Sequence, residues 1–226
     1  MLTAVAREWR NWQTRWLQVP VFERTWGFKS PLAHHRVFFS RLGAMAAGAV
    51  VHTFTGSLAD VDRGVYEELS IRVARHPSET DAYMVTRVLA YCLEHTEGIA
   101  FSEGLSSTEE PAVVVRDATG RLTAWIEVGA PDTARLHHGS KLADRTVVYT
   151  HRDPAKVMAQ WAGKKIHEAD RIVLHNFDPG FIDAAVAVLE RRNTLTVSVT
   201  ERQLYLELNG VTLSSVVHEH PLVPSL

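Results

Sequence analysis

The chain has 226 residues, of which 46% are hydrophobic, and it carries 24 Lys and Arg against 26 Asp and Glu. That length allows one sizeable core, and the absence of an apolar run of about 18 residues excludes a membrane-spanning helix. The segment beginning MLTAVAREW lacks the apolar stretch of a signal peptide, and the single cysteine, Cys92, excludes a disulfide framework. We therefore expect a cytoplasmic protein.

The first 44 residues differ in charge from the rest of the chain. They carry seven Lys and Arg against two Glu, a net charge of +5, whereas the remainder has a net charge of −7. Four of the six tryptophans also lie in this segment. A basic segment with interleaved aromatic residues is typical of a nucleic-acid-binding arm. Because it shows neither helical nor strand periodicity, we expect it to be disordered instead.

A gene-level interpretation explains this unusual composition. Codons for residues 27–31, GFKSP, can contain the T-arm consensus of a tRNA gene. Codons for residues 8–15 can resemble the D-arm of a leucine tRNA gene. We therefore predict that residues 1–44 are an in-frame translation of an upstream tRNA gene, and that the true start is Met45.

From Met45 onward the sequence shows regular secondary-structure patterns. Residues 49–54 and 68–73 alternate between apolar and polar side chains, which predicts two strands joined by a polar loop. Ser78 is the expected N-cap of a helix whose apolar stripe continues to about His95.

The second half of the chain alternates between strand and helix patterns. Residues 112–115 and 122–128 predict a β-hairpin around a turn at 117–120. The remaining predicted elements are a helix from Pro131 to Leu142, a strand at 146–150, a helix at 154–161, a strand at 171–175, a helix at 179–191, a closing hairpin of 195–200 and 204–208, and a loose tail at 218–226. Residues 45–217 are thus expected to form one mixed α+β domain.

The predicted hairpin contains the best candidate for a functional site. If Arg116 and Arg121 close its turn, Glu110 lies opposite Glu127, with Cβ atoms roughly 4.5–5.5 Å apart. Two carboxylates at that spacing repel each other unless a cation lies between them, and hard oxygen ligands suit Mg²⁺. The alternative is that Glu110 is a solvated loop residue and Glu127 an ordinary exposed strand residue.

Several segments of the chain closely resemble the bacterial YaeQ proteins. The resemblance covers roughly Met45 to Leu208, and RHPSETD is its most specific segment. The segments that carry it are RHPSETD (75–81), GLS (104–106), EEP (109–111), WIEVG (125–129), PD (131–132) and VYT (148–150). This resemblance implies a compact variation of the PD-(D/E)XK nuclease core, a mixed β-sheet flanked by helices, with added N- and C-terminal β-hairpins.

The resemblance also implies roles for three acidic residues. Glu110 takes the place of the aspartate of the motif's PD, and Glu127 takes the (D/E) place on the next strand. Glu79, at the start of the preceding helix, resembles the helical glutamate that many such nucleases add. Together the three would be catalytic residues and ligands of Mg²⁺ or Mn²⁺.

The chain departs from this motif at position 129. A complete motif has a lysine there, which activates the attacking water and stabilises charge on the phosphate, whereas this chain has Gly129. Some members of the superfamily supply the cation from the following helix, where Arg135 and Lys141 are available. We name Lys141 as the candidate catalytic cation, with Arg135, His137 and His138 as alternatives.

Two functions remain open from the sequence. The first is a metal-dependent phosphodiesterase or nuclease, in which metal-bound water attacks in line. The second is a catalytically inactive descendant of the nuclease fold that acts as a binding or interaction module, because a fold does not fix a function. A nucleic acid is the candidate partner of the first, although the net charge of −7 outside the first segment gives little general attraction for it.

Overall fold

The computed structural model of the protein describes residues 49–102 and 110–222. The predicted disordered segment, the predicted start at Met45 and the end of the predicted tail lie outside these residues. Within the two described ranges, no helix is long and apolar enough to cross a membrane.

The described residues form eleven β-strands and four α-helices, which confirms the mixed α+β class. The strands are β1 (Val50–Asp60), β2 (Val65–Arg75), β3 (Ile99–Phe101), β4 (Val113–Arg116), β5 (Leu122–Val128), β6 (Arg145–Thr150), β7 (Val173–Asn176), β8 (Arg192–Thr200), β9 (Gln203–Leu208), β10 (Val211–Val216) and β11 (His218–Pro221). The helices are α1 (Asp81–Leu93), α2 (Thr133–Leu142), α3 (Pro154–Trp161) and α4 (Phe181–Ala187), and a short 3-10 helix covers Ala169–Arg171.

The first sheet has five strands in the order β10-β9-β8-β1-β2. It contains the first and the last of the three predicted hairpins, β1–β2 and β8–β9, joined by parallel pairing of β1 with β8. Gly56 of β1 permits this pairing, because a Cβ atom there would lie only 1.6 Å from the backbone carbonyl oxygen of Leu195. A larger residue would push the two hairpins apart.

The second sheet has six strands in the order β11-β7-β6-β5-β4-β3. Its three central strands, β5, β6 and β7, are parallel, and antiparallel strands flank them on both sides. Because parallel strands end at the same edge of a sheet, the carboxyl ends of β5 and β6 lie side by side, with Val128 paired to Tyr149. In open α/β sheets, ligands bind at this edge.

Two hydrophobic cores lie on opposite faces of the second sheet. The main core packs α1 and α4 among side chains of both sheets, among them Phe54, Met84, Ile126, Tyr149, Phe181 and Leu206. The smaller core packs α2 and α3 and contains Leu136, Val148, Val157, Trp161 and Leu174. Val148 and Tyr149 are neighbours on β6 and therefore point to opposite faces, which assigns each face of the strand to one core.

The structure differs from the sequence prediction in several places. Two mixed sheets are present in the described residues instead of the expected single sheet, and β3, β10 and β11 were not predicted. Residues 218–221, predicted as part of a tail, pair with β7 as β11. The N-cap of α1 is Thr80 and not Ser78, since the Thr80 side chain accepts a hydrogen bond from the Tyr83 backbone. The helix predicted at 179–191 is the shorter α4.

Candidate functional site

A pocket of about 470 Å³ opens where the carboxyl ends of β5 and β6 meet the starts of α1 and α2. Its charged and polar lining includes Glu79, Glu127, Asp132, Arg135, His151 and Arg152. Two of the predicted site residues, Glu79 and Glu127, therefore line one pocket although they come from separate elements.

Glu127 lies on β5 and is only 2% exposed. The indole Nε1 of Trp125 donates to its Oε1 at 2.8 Å, and the Nε of Arg135 donates to the same oxygen at 3.0 Å. The Arg135 Nη2 lies 2.9 Å from Oε1 and donates to Oε2 at 3.3 Å. Burial raises the pKa of Glu127, while the charge of Arg135 and the bond from Trp125 oppose that shift. The arginine is thus the cation that compensates this buried carboxylate.

Glu79 directly precedes the N-cap of α1, and its side chain is fully buried. The Nη1 of Arg87, two turns along the helix, lies 3.1 Å from its Oε1. Its Oε2 accepts hydrogen bonds from Arg87 Nη2 at 3.3 Å and from the His76 backbone at 3.0 Å. This second carboxylate is therefore also neutralised by an arginine.

Glu110 does not lie opposite Glu127. Val113 pairs with Ile126, and continuing this register places Ala112 opposite Glu127. The register differs from the predicted one because the turn is longer than predicted and a bulge follows Val115. The Glu110 side chain is 42% exposed and lies 3.6 Å from Arg116. Its contribution to the site is its backbone carbonyl, which accepts a hydrogen bond from Arg135 at 2.8 Å. The register arithmetic behind the predicted carboxylate pair is therefore wrong.

Gly129, at the place of the motif's lysine, has a backbone conformation that favours glycine. Its φ is +86°, a left-handed conformation that other residues seldom adopt. A Cβ atom there would lie 3.6 Å from the ring of Tyr83 and 4.0 Å from that of His151. Position 129 is therefore part of a backbone turn that follows β5 and leads toward α2.

The other predicted cations have different surroundings. Lys141 is exposed in the last turn of α2 and is not among the residues that line the pocket. The His137 Nδ1 accepts a hydrogen bond from the His167 backbone, and the His138 ring packs edge-on against Trp125 at 5.5 Å. Of the four candidates, only Arg135 reaches a predicted acidic residue.

The sequence reasoning missed three residues of the pocket, Tyr83, His151 and Arg152. Burial, followed by the charge of Glu127, raises the pKa of Tyr83 to about 12, so its phenol stays protonated. Burial and the neighbouring Arg152 lower the pKa of His151. The last two residues directly follow β6, and their position at the end of a parallel strand is the sequence signal that could have identified them.

These residues do not fit a divalent cation as they are arranged. Within residues 49–102 and 110–222, no group of three or more His, Cys, Asp or Glu side chains is placed to share a metal ion. Mg²⁺ typically takes one or two carboxylates that face it, whereas here each buried carboxylate already faces an arginine. A metal ion at Glu127 would have to displace Arg135.

The geometry around Glu127 depends on Gly139 of α2. A Cβ atom at Gly139 would lie 2.5 Å from Cδ1 of Trp125, whose indole holds Glu127. We expect Gly139→Ala to lower the free energy of unfolding by about 1–3 kcal/mol through overpacking. Urea denaturation measures this, and near-ultraviolet circular dichroism should show a changed indole signal. Lys141→Ala, an exposed change in the same helix, is the control, and an unchanged Gly139→Ala protein would contradict the described packing.

Comparisons with known proteins point to one family. A family model described as YaeQ protein matches residues 45–217. The chain is 28% identical to the uncharacterised protein YaeQ of Escherichia coli K12 over 180 residues, which are 78% of this chain and 99% of the relative. The Salmonella typhi YaeQ is 26% identical and covers 72% of this chain, with 90% of its own length matched.

Solved structures show the same relationship. The crystal structure of YaeQ from Pseudomonas syringae has a TM-score of 0.67 at 28% identity, covering 76% of this chain and 95% of that one. The YaeQ structure from Xanthomonas axonopodis pv. citri also has a TM-score of 0.67, at 24% identity, and shows the shared fold over 78% of this chain and 100% of that one.

Proposed function

This chain belongs to the YaeQ family, and from that premise we propose that the pocket between α1 and α2 is a metal-free binding site for a phosphate-bearing ligand. Nucleotides and the ends of nucleic-acid strands fall in this class of ligand. In this proposal the protein is a binding module with a nuclease-like ancestry and not a hydrolase.

One observation carries the proposal: each of the two buried carboxylates of the pocket is paired with an arginine. In a metal-dependent phosphodiesterase such carboxylates hold the cation that polarises the phosphate. Here Arg135 contacts both oxygens of Glu127, so a metal ion bound by this carboxylate would have to displace it. The protein therefore supplies its own cation, and a guanidinium cannot activate a water molecule as Mg²⁺ does.

The attraction for phosphate comes from the elements that border the pocket. The N-caps of α1 and α2, Thr80 and Asp132, both line it, so the positive ends of two helix dipoles lie beside the same space. Arg152, which follows β6, adds an exposed arginine to the lining. Helix N-termini and arginine side chains are both common phosphate-binding groups in proteins.

A second function, a Mg²⁺-dependent phosphodiesterase, has one observation in its favour. Glu79 and Glu127 come from different elements and line the same pocket, as the motif of a PD-(D/E)XK nuclease requires. The phosphodiesterase function requires that Mg²⁺ displace Arg135 from Glu127. It also requires a catalytic cation in place of the missing lysine.

Calorimetric titration of the full chain in EDTA tests the proposal, with inorganic phosphate and a 5′-phosphorylated single-stranded oligonucleotide as probes. We expect binding without metal, weakened about tenfold by Arg152→Ala, which removes one charge-assisted contact. Arg192→Ala, an exposed arginine at the start of β8, is the matched control and should bind normally.

The competing function gives a different result. If the oligonucleotide binds or is cleaved only with Mg²⁺, and Glu127→Ala abolishes this, the phosphodiesterase is correct and the metal-free site is not. If Arg152→Ala binds the probes as tightly as the parent protein does, the ligand does not bind in this pocket.

A further inference from the structure

A second cavity lies at the other end of α1, between the two sheets. Its volume is about 510 Å³, within the range of roughly 300–1,000 Å³ that is common for small-molecule sites. The last residue of α1 and its C-cap, Leu93 and Glu94, line this cavity, whereas Glu79 and Thr80 line the first pocket. Thirteen helical residues span about 20 Å, so the two spaces are separate.

The floor of this cavity is apolar. Valines from both sheets line it, together with Leu93 and the ring of Tyr149. Tyr149 is held in place because its hydroxyl donates to Glu94 at 2.8 Å and its ring stacks on His175 at 4.8 Å. Glu94 is only 8% exposed and forms an ion pair with Arg145. The walls are thus fixed by buried polar contacts, as in a preformed site.

Four arginines and four acidic residues line the cavity, but the hydrogen-bonding capacity that they have left differs. The acids are occupied: Asp60 binds Arg63, Asp62 accepts two backbone N–H groups, Glu94 binds Tyr149 and Arg145, and Glu219 binds Arg202. Arg63 also donates to two backbone carbonyls at the end of α1.

Three of the arginines keep most of their donors. In the described residues, Arg145, Arg171 and Arg202 each use a single Nη in an ion pair, with Glu94, Glu168 and Glu219 respectively. A guanidinium has five N–H donors in a planar fork. The larger share of the unused hydrogen-bonding capacity of this lining is therefore donor capacity, supplied by groups that are always charged.

We propose that this cavity is a second binding site, specific for a small organic anion whose apolar body lies on the valine and Tyr149 floor. Its carboxylate or phosphate group accepts hydrogen bonds from the free donors of Arg145, Arg171 and Arg202. The site is independent of the phosphate pocket at the other end of α1, because the two share no lining residue.

Three probes with the same phenyl ring separate the contribution of the head group from that of the apolar body: benzoate, phenyl phosphate and the uncharged benzamide. We expect at least one of the two anions to bind the full chain in calorimetric titration with a dissociation constant below about 1 mM. Benzamide should bind at least tenfold more weakly than the better-binding anion. The anion that binds better identifies the head group as carboxylate or phosphate.

The variant Arg171→Gln/Arg202→Asn removes two of the lining cations without touching the Glu94–Arg145 ion pair, and asparagine tolerates the φ of +63° at position 202. We expect it to weaken anion binding at least tenfold while the melting temperature stays near that of the parent. Arg192→Gln, an exposed arginine outside the cavity, should bind normally.

Three results would overturn the proposal. The first is benzamide binding as tightly as the better-binding of the two anions, which would leave only an apolar cavity. The second is no binding of either anion at about 10 mM. The third is anion binding that persists in the double variant but is lost in Arg152→Ala, which would assign it to the phosphate pocket.

Discussion

Arg87→Met is expected to lower the free energy of unfolding by about 3–5 kcal/mol, because it leaves a fully buried carboxylate without its cation. The side chains of Arg87 and Glu79 are 2% and 0% exposed. Methionine fills the space of the aliphatic stem, so most of the loss comes from the uncompensated charge of Glu79 and not from a cavity. The same change also removes the hydrogen bond from Arg87 to the Ala74 carbonyl, which joins α1 to β2.

Urea denaturation followed by circular dichroism measures this loss. The double variant Glu79→Gln/Arg87→Met should recover a substantial part of it, because a neutral amide at position 79 is cheaper to bury than a carboxylate. Arg72→Met, an exposed arginine of β2, is the matched control and should change stability by less than about 0.5 kcal/mol. A loss below about 1 kcal/mol in Arg87→Met would contradict the buried pair.

Arg135→Met is expected to cause the second large loss in the free energy of unfolding, and this loss depends on pH. The Arg135 side chain is 26% exposed, so we expect a smaller loss than at Arg87, about 2–3 kcal/mol near neutral pH. Burial already raises the pKa of Glu127 above that of an ordinary glutamate, and Arg135 opposes that shift. Removing the arginine should therefore raise the pKa of Glu127 further.

The sign of the pH dependence follows from linkage. Above pH 4.5 the unfolded chain ionises Glu127, whereas the folded variant keeps the proton to higher pH. The folded state then binds more protons, so the variant loses stability as the pH rises through this window and regains it as the pH falls.

Denaturation of Arg135→Met and of the parent at about pH 5 and pH 8 measures this difference. The destabilisation should be larger at the higher pH. The double variant Glu127→Gln/Arg135→Met has no group to titrate at this position and should lose the extra pH dependence. A destabilisation that is independent of pH would show that Arg135 acts through packing alone.

The sequence predicted the strands of the central hairpin but not their register. Periodicity located 112–115 and 122–128 within one residue of β4 and β5. The pairing depended on the turn, where the Asp117 side chain accepts hydrogen bonds from the backbones of Thr119 and Arg121. That local network and the bulge after Val115 shifted the register, and a shift of two residues separated Glu110 from Glu127. Such bulges have no reliable signal in a single sequence.

The joining of the two terminal hairpins also could not be predicted. Each was located by its alternating pattern, but their parallel pairing connects segments far apart in the chain. Gly56 was the only residue of the strand pattern that pointed to this pairing, because the close approach of the Leu195 backbone requires a residue without a side chain there. A glycine inside a strand pattern is compatible with several causes.

The sequence contained a weak indication, which was overlooked, that Arg87 pairs with Glu79. Arg87 lies between Val85 and Val88 in the buried part of α1. A charged residue in a buried helical segment needs a partner, and the preceding Glu79 was available. The resemblance to the family drew attention to the acidic residues, whereas burial and pairing show that an arginine neutralises each of the two buried ones.

The response of the melting temperature of the full chain to Mg²⁺ tests most directly whether Arg135 has taken the place of a metal ion. We predict no stabilisation at about 10 mM Mg²⁺ or Mn²⁺, because Glu127 and Glu79 keep their arginine partners. A metal ion bound at one hundred times its dissociation constant would add about 2.7 kcal/mol to the folded state, a shift that is easily detected. A metal-dependent rise in melting temperature that Glu127→Gln abolishes would contradict the account.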